Sequence, residues 1–246
     1  MTIYVGPNPN IISDIPVSEV DLKLYLDTTV SITNSRWDDL STSKIVFEPK
    51  GGTYTPITQE KGGVQAVVFN GDGYWESTGS GHQSLDLGGE CTLVMWIYFE
   101  NIGERDTIFE KAGTSYNSYE QELAVTWESN ESLSYYNRYS TYDVASIASQ
   151  DLPLNNWHMV ALKMSIGKVS GISRTGFYSL NGQPWVANYT ARSTEPILPA
   201  GVIRIGTGYA GPVEAGAIAL VAGYERQLSD NEIQSFYSNT ASRFGV

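Results

Sequence analysis

The sequence predicts an all-β protein built from two packed antiparallel sheets, with one short helix near the C-terminus. Runs of β-branched and aromatic residues are short, and Gly, Asn, Asp, Ser and Pro separate them at spacings typical of a sandwich. The 246 residues are 41% hydrophobic and 17% charged, a composition typical of chains that fold. About thirteen candidate strands are too many for one open twisted sheet, so two packed sheets are the economical arrangement.

The candidate strands follow one another along most of the chain, and alternate residues in each are expected to face core and solvent. In chain order they are Leu22–Leu26, Ile45–Phe47, Ala66–Phe69, Tyr74–Glu76, Cys91–Phe99, Asp106–Lys111, Glu122–Trp127, Leu133–Ser140, Trp157–Ser165, Gly176–Leu180, Trp185–Tyr189, Val202–Gly206 and Ala215–Tyr224.

One segment has the pattern of a helix. Ser229 and Glu232 have the spacing of a capping box, in which the Ser hydroxyl accepts from the Glu amide and the Glu carboxylate reaches back. Ile233, Phe236 and Tyr237 supply an apolar stripe at helical spacing. The sequence therefore predicts a helix over Ser229–Ser238.

The chain is expected to divide into an extended N-terminal arm, residues 1–20, and one sandwich domain, residues 21–246. Pro7, Pro9 and Pro16 cannot donate to a β-ladder, which favours an arm over a strand. Such an arm is a candidate for docking on its own domain or on a neighbouring molecule.

Charge and cysteine content exclude several classes of partner. Fifteen Lys and Arg residues stand against 27 Asp and Glu, a net charge of −12, which opposes contact with nucleic acid and anionic membranes. The longest apolar stretches are about half the roughly 20 residues of a membrane helix. Cys91 is the single cysteine, so we expect no disulfide framework and no Cys/His zinc site. The first residues do not read as a signal peptide, so synthesis in a cytoplasm is expected.

Catalytic motifs are incomplete, and we expect no enzyme activity and no catalytic residues. Retaining glycoside hydrolases on this kind of fold use acids in the form Glu-x-Asp-x-x-Glu, whose first two acids share a strand face. Glu19 and Asp21 match the first two acids, but Leu24 stands where the last should be. A glycoside hydrolase using Glu19 and Asp21 is the weaker alternative. We expect His158 to be a packed or edge residue and His82 to be a mobile loop residue.

The segment Asn70-Gly71-Asp72-Gly73 allows two interpretations. Asn-Gly and Asp-Gly adopt positive φ readily, which predicts a tight hairpin turn between Val67–Phe69 and Tyr74–Trp75. Asn70 and Asp72 are also hard oxygen donors of the kind that Ca²⁺ takes from loops. Calcium is the one cofactor that the residues leave open.

Tyrosines are concentrated in two polar stretches, and 16 of the aromatic residues in the chain are Tyr. Tyr among Ser, Asn and Arg is the chemistry of a protein or sugar recognition surface, while cross-strand Tyr pairs on a solvated sheet are the alternative. The candidate ligand-binding residues are Tyr116, Tyr119, Tyr136, Arg138 and Tyr139, with Trp185 as a further stacking residue.

The order of these segments resembles a laminin-G-like, concanavalin A-like lectin/glucanase jelly roll. The resemblance runs from residue 22 to residue 246 and is carried by the following segments: Ala66–Tyr74, Cys91–Ile97, Ile108–Lys111, Asn156–Ala161, Phe177–Gly182, Ile203–Gly206 and Ala217–Ile233. Segments near the two ends of this region are similar to such domains in structural proteins of tailed bacteriophages. They are Leu24–Asp27 with Arg36–Ser41, and Phe236–Gly245.

The resemblance implies a jelly-roll sandwich and a location in the virion. The leading hypothesis is a non-catalytic virion surface protein of tail, neck, fibre or capsid, present as an oligomer or in many copies. It would dock on other virion proteins and would bind cell-surface glycans through a lectin-like face. A carbohydrate-binding adhesin for host glycans is the alternative. Fold analogy alone does not settle between them.

Overall fold

The structure is a computed structural model, and it describes residues 19–33, 36–51, 57–87, 89–101, 105–113, 121–128, 132–139, 141–148, 151–164, 173–192 and 201–246. The predicted arm therefore lies outside the described residues except for its last two positions. Among the described residues the strands are β1 (Leu22–Asp27), β2 (Ile32–Thr33), β3 (Arg36–Asp38), β4 (Val46–Lys50), β5 (Ile57–Lys61), β6 (Val64–Phe69), β7 (Tyr74–Thr78), β8 (Cys91–Asn101), β9 (Asp106–Ala112), β10 (Gln121–Glu128), β11 (Ser132–Tyr139), β12 (Thr141–Ala148), β13 (Trp157–Met164), β14 (Ser173–Leu180), β15 (Val186–Arg192), β16 (Val202–Ile205) and β17 (Ala215–Tyr224).

The strands form two antiparallel sheets, which confirms the predicted sandwich. One sheet has the order β15-β14-β13-β8-β17-β6-β5, and β1 also pairs with β17. The other has the order β12-β11-β10-β9-β16-β7-β4-β3-β2. We call them the eight-stranded and the nine-stranded sheet. Strands β2, β3, β5 and β12 were not predicted from the sequence; β2 and β3 are short, and β5 is rich in polar residues.

The centre of the eight-stranded sheet is buried on both faces, which explains the continuous apolar run of β8. Leu93, Met95 and Ile97 face the core between the sheets. Val94 and Trp96 face a second core that lies under the C-terminal helix. A strand covered on both faces does not need alternating polar residues.

The helix α1 (Asp230–Thr240) begins with the predicted capping box. Ser229 Oγ accepts from the backbone N–H of Glu232, and Glu232 Oε2 accepts from the N–H of Ser229 at 2.8 Å. A 3-10 helix, Ala241–Phe244, continues the chain over the second core. Trp96 donates from Nε1 to Thr240 Oγ1 at 3.0 Å and so ties β8 to the end of α1. No helix among the described residues has the length and apolar character to cross a membrane.

The connection between β6 and β7 corrects one prediction. β6 pairs with β5 and β17 in the eight-stranded sheet, whereas β7 pairs with β4 and β16 in the nine-stranded sheet. The predicted hairpin turn at Asn70–Gly73 is therefore wrong, since the chain passes from one sheet to the other there. Gly71 keeps the expected positive φ, at 92°, and its N–H donates to Val213 O. This crossing places Asn70 at one end of the sandwich.

Candidate functional site

A cleft of about 730 Å³ lies at one end of the sandwich. Three segments form it: the connection from β6 to β7, the start of β9, and the loop of residues 206–214 that joins β16 to β17. We call this loop the cleft loop. The lining residues are Asn70, Gly71, Arg105, Asp106, Ala210, Gly211, Pro212 and Glu214.

Side chains of β9 hold the cleft loop in place. The side chains of Asp106, Thr107 and Glu110 each accept a hydrogen bond from a backbone N–H of the loop. In addition, the backbone N–H of Thr107 donates to Gly211 O at 3.0 Å. The three bonds run from Tyr209 N to Glu110 Oε1 at 3.2 Å, from Ala210 N to Thr107 Oγ1 at 3.0 Å, and from Glu214 N to Asp106 Oδ2 at 3.3 Å. The loop is therefore preorganised by the sheet beneath it.

Two glycines allow the cleft loop to lie close to the sheets. Gly206 has φ of 91°, and a Cβ there would overlap the ring of Phe69. A Cβ at Gly208 would lie 2.5 Å from Thr107 Cγ2 and 2.9 Å from Glu110 Cδ. Both positions thus require glycine for steric reasons.

A buried ionic ladder across the nine-stranded sheet anchors Glu110. Arg204 is 3% exposed and lies opposite both Glu76 and Glu110 in the register of the strands. Its Nε is 3.0 Å from Glu76 Oε2, and its Nη1 is 3.4 Å from Glu110 Oε2. One oxygen of Glu110 therefore faces Arg204, and the other accepts from the cleft loop. Charged groups at this depth require such partners.

Several residues around the cleft are exposed, and an aromatic ring lies against one of them. Asn70, Arg105 and Glu214 are exposed, and Tyr209 is 41% exposed. The guanidinium of Arg105 lies 5.5 Å from the centre of the Tyr209 ring, and its Nε is 3.1 Å from Glu128 Oε2. A flat ring beside an amide, a guanidinium and carboxylates can hold a small polar ligand by stacking and directional hydrogen bonds.

The structure brings Asn70 to this cleft, with Asp72 two residues along the same connection. Within the described part of the chain, His, Cys, Asp and Glu side chains do not gather in groups of three that could hold a metal ion. A calcium ion held by Asn70 and Asp72 stays a prediction.

The tyrosine candidates fall largely outside the part that can be described. Tyr116 and Tyr119 lie outside the described residues. Tyr136, Arg138 and Tyr139 lie in β11, opposite Val144, Tyr142 and Thr141 of β12, and their side chains are likewise outside the description.

Trp185 lies just before β15, in the other sheet from β11. Its ring is half-buried, with the ammonium of Lys163 at 4.3 Å from the ring centre. Its backbone N–H donates to Asp230 Oδ1 at 2.9 Å, next to the start of α1. Trp185 therefore links the start of helix α1 to the eight-stranded sheet.

The two acids of the hydrolase alternative do not share a strand face. Glu19 and Asp21 both precede β1, and Asp21 has φ of 61° in a turn. The alternation that would align their carboxylates applies only within a strand.

The histidines are both buried. His158 is 6% exposed as expected for a packed residue, and its Nε2 donates to Pro153 O at 2.9 Å. His82 was expected in a mobile loop, but it is 8% exposed in the 3-10 helix Gly81–Ser84, so that expectation is wrong. Burial lowers the pKa of both rings. Cys91 is also buried and donates from Sγ to Leu87 O.

Sequence reasoning missed Arg105, Tyr209 and Glu214. The available signal was the run Gly206-Thr207-Gly208-Tyr209-Ala210-Gly211-Pro212, a glycine-rich loop with one aromatic residue between two strands. Glycine-rich loops carried on a rigid scaffold are frequent ligand sites. Nothing local to this run indicates the distant β9 side chains that hold it.

Solved structures with the same fold include toxin and enzyme domains. The receptor binding domain of botulinum neurotoxin C/D mosaic serotype has a TM-score of 0.62 at 14% identity, over 89% of this chain and 51% of that chain. The binding domain of botulinum neurotoxin DC in complex with SialylT has a TM-score of 0.60 at 13% identity, over 90% and 52%. Trypanosoma rangeli sialidase has a TM-score of 0.59 at 15% identity, over 91% and 33%. This chain thus spans about half of the toxin chains and a third of the sialidase, and the likeness shows the fold.

The sequence itself identifies the family. No curated protein matches the chain at a significant level. A family model described as the concanavalin A-like lectin/glucanases superfamily matches residues 62–234, which include β6 to β17 and the start of α1. This confirms the resemblance to a concanavalin A-like jelly roll. The chain belongs to the concanavalin A-like lectin/glucanases superfamily.

Proposed function

We propose that this chain is a non-catalytic glycan-recognition domain that uses the cleft as its binding site, displayed in several copies on the surface of a bacteriophage particle. The observation that carries the recognition role is the preorganised cleft loop, which lines a cleft of about 730 Å³ and places the Tyr209 ring against Arg105, another lining residue.

The cleft has the properties that sugar binding requires. The Tyr209 ring offers an apolar face at a small entropy cost, since Tyr has few rotatable bonds. Asn70, Arg105 and Glu214 supply exposed polar groups around it. Because side chains of β9 already hold the loop, ligand binding costs little entropy for ordering the loop.

The arrangement of carboxylates favours binding over hydrolysis. A retaining glycosidase needs two carboxyl groups about 5 Å apart that act on the substrate. Asp106 is 2% exposed and accepts from the N–H of Glu214, so it serves to position the loop. Glu19 and Asp21 lie in a turn region before β1 and not on a strand face.

The structural neighbours are compatible with recognition. Two of them are binding domains of botulinum neurotoxins, one in complex with SialylT. The sialidase is an enzyme, but this chain matches only 33% of it.

The proposed location on a phage particle is based on the amino-acid sequence. Leu24–Asp27 with Arg36–Ser41, and Phe236–Gly245, are similar to segments of tailed-phage structural proteins. A net charge of −12 suits a surface that stays soluble at high local density. Other virion proteins are then its assembly partners, and the host cytoplasm is the place of synthesis.

A glycan array tests the recognition role. The intact chain should bind at least one class of glycan, with and without added Ca²⁺, and Tyr209→Ala should abolish the signal. Chromatography of the bound glycan after incubation should show it uncleaved. A blank array in both conditions would contradict glycan recognition, and release of shorter sugars would contradict the non-catalytic role.

Mass spectrometry of purified particles tests the location. The polypeptide should co-purify with intact particles of the phage that encodes it, in several copies per particle. Its absence from particles that contain their other structural proteins would contradict the virion assignment.

A further inference from the structure

The cleft loop presents no free backbone donor between residues 209 and 214. Every N–H in this stretch is used within the chain, and Pro212 has none. The N–H groups of Tyr209, Ala210 and Glu214 donate to side chains of β9. The N–H of Gly211 donates to Gly208 O at 3.1 Å, and the N–H of Val213 donates to Gly206 O at 2.9 Å.

The same stretch presents acceptors to the cleft. The carbonyl oxygens of Ala210 and Pro212 accept no hydrogen bond from the described residues, although both residues line the cleft. Glu214 adds an exposed carboxylate, and the buried Asp106 adds a second negative charge beneath it. The backbone of this wall can accept hydrogen bonds but cannot donate them.

The donors on the remaining wall are few. The guanidinium of Arg105 is directed toward Glu128 Oε2 and the ring of Tyr209. Among the described residues that line the cleft, the amide of Asn70 is the other donating side chain. Among the described lining residues, two carboxylates therefore stand against one guanidinium, and that guanidinium already faces a third carboxylate.

We propose that the cleft selects an uncharged sugar that donates hydrogen bonds from its hydroxyl groups, and rejects the same sugar when it carries a carboxylate or a sulfate. This inference rests on the proposed glycan-recognition function. A hydroxyl can donate to the Ala210 and Pro212 carbonyls and to the Glu214 carboxylate. A carboxylate or sulfate in the cleft would lose its hydration and would face carbonyl and carboxylate oxygens, which cannot donate a hydrogen bond to it. A desolvated charge without a partner is costly.

Paired glycans on an array test this specificity. Each neutral glycan that the chain binds is compared with the same glycan carrying sialic acid or sulfate. The neutral member should bind at least about tenfold more tightly, a difference well outside the scatter of such measurements. The comparison is repeated in about 1 M NaCl, where long-range repulsion by the acidic chain is screened and contacts within the cleft persist.

Two matched variants assign the selectivity to the cleft. Glu214→Gln removes one acceptor charge from the cleft and should narrow the gap between neutral and acidic glycans. Glu60→Gln removes the same charge from an exposed position on β5 and should leave the gap unchanged. Equal effects of the two variants, or tighter binding of the acidic members, would overturn the inference while leaving glycan recognition in place. Binding of no glycan at all would overturn the proposed function and this inference with it.

Discussion

Glu110 Oε1 accepts a hydrogen bond from the backbone N–H of Tyr209 at 3.2 Å, while Oε2 of the same carboxylate faces Arg204 at 3.4 Å. Glu110 is 1% exposed, so a buried charge of the sheet directly fixes an exposed residue of the cleft loop. The stability of the sheet and the shape of the cleft are therefore coupled through one side chain.

Replacing Glu110 should affect both properties. Glu110→Ala leaves Arg204 with one carboxylate fewer and the Tyr209 N–H without its acceptor. We expect the free energy of unfolding to fall by about 3 kcal/mol, the cost of breaking a buried ion pair. Hydrogen exchange at the Tyr209 amide should become faster under native conditions.

Glu48→Ala is the matched control, because Glu48 is an exposed acid on β4 of the same sheet. Its effect should stay within about 0.5 kcal/mol, and the Tyr209 amide should be unaffected. If the two variants unfold alike and exchange alike, Glu110 does not hold the loop.

Gly208 should tolerate no side chain. In Gly208→Ala the new Cβ would lie 2.5 Å from Thr107 Cγ2, so the loop must move away from β9. Overpacking of this kind costs about 1–3 kcal/mol, which denaturant titration can measure. Gly89→Ala is the control, since nothing lies within 4 Å of a Cβ at Gly89. An unchanged midpoint for Gly208→Ala would show that the loop is not packed closely on the sheet.

The C-terminal segment should contribute strongly to stability. Phe244 stacks on Trp96 with ring centres 4.0 Å apart and planes within 7°, and it is 3% exposed. Phe244→Ala should lower the free energy of unfolding by about 3–5 kcal/mol, as expected for a buried Phe. Val246→Ala, at an exposed position two residues further, should have little effect. Equal stability of the two variants would contradict a packed C-terminal segment.

Acid should remove one stabilising contact at the start of α1. The hydrogen bond from Arg226 at 2.6 Å, with those from Ser229, lowers the pKa of Glu232 to about 2 from an ordinary value of 4.5. A carboxyl with a lowered pKa in the folded state stabilises the protein above its ordinary pKa, and that stabilisation is lost as the pH falls toward the folded value. Glu232→Gln should therefore have a lower Tm than the natural chain near neutral pH.

The difference in Tm should shrink as the pH falls from about 4.5 to about 2, because Glu232 of the natural protein becomes increasingly protonated over this range and so approaches the uncharged side chain of the variant. Glu60→Gln, at an exposed position on β5, serves as the control and should track the natural chain throughout. A gap that stays constant across this range would mean that the charge of Glu232 does not stabilise the helix.

Local signals in the sequence predicted the local structure well. The capping box at Ser229 and Glu232 acts over one helical turn, and it is present as predicted. The apolar run of β8 and the strand of Ala215–Tyr224 were also found at their predicted positions, because long runs of this kind are strongly patterned.

Long-range relations were not predictable in the same way. The residues at Asn70–Gly73 indicate a turn but not which sheet each flanking strand joins, so the local sequence predicts a hairpin where the chain crosses between sheets. Arg105 lies about a hundred residues before Tyr209 and Glu214 in the chain. The two segments meet only because β9 lies beside β16. The cleft is thus a product of the topology.

Titration calorimetry of the best-bound glycan tests the central claim most directly. The ligand is titrated into the natural chain, into Arg105→Ala, and into Arg36→Ala, which removes an exposed arginine with an acidic partner on β3. If the cleft is the binding site, Arg105→Ala should weaken binding about tenfold or more, and Arg36→Ala should leave it unchanged. Equal affinity of all three proteins would contradict the assignment of the cleft as the glycan site.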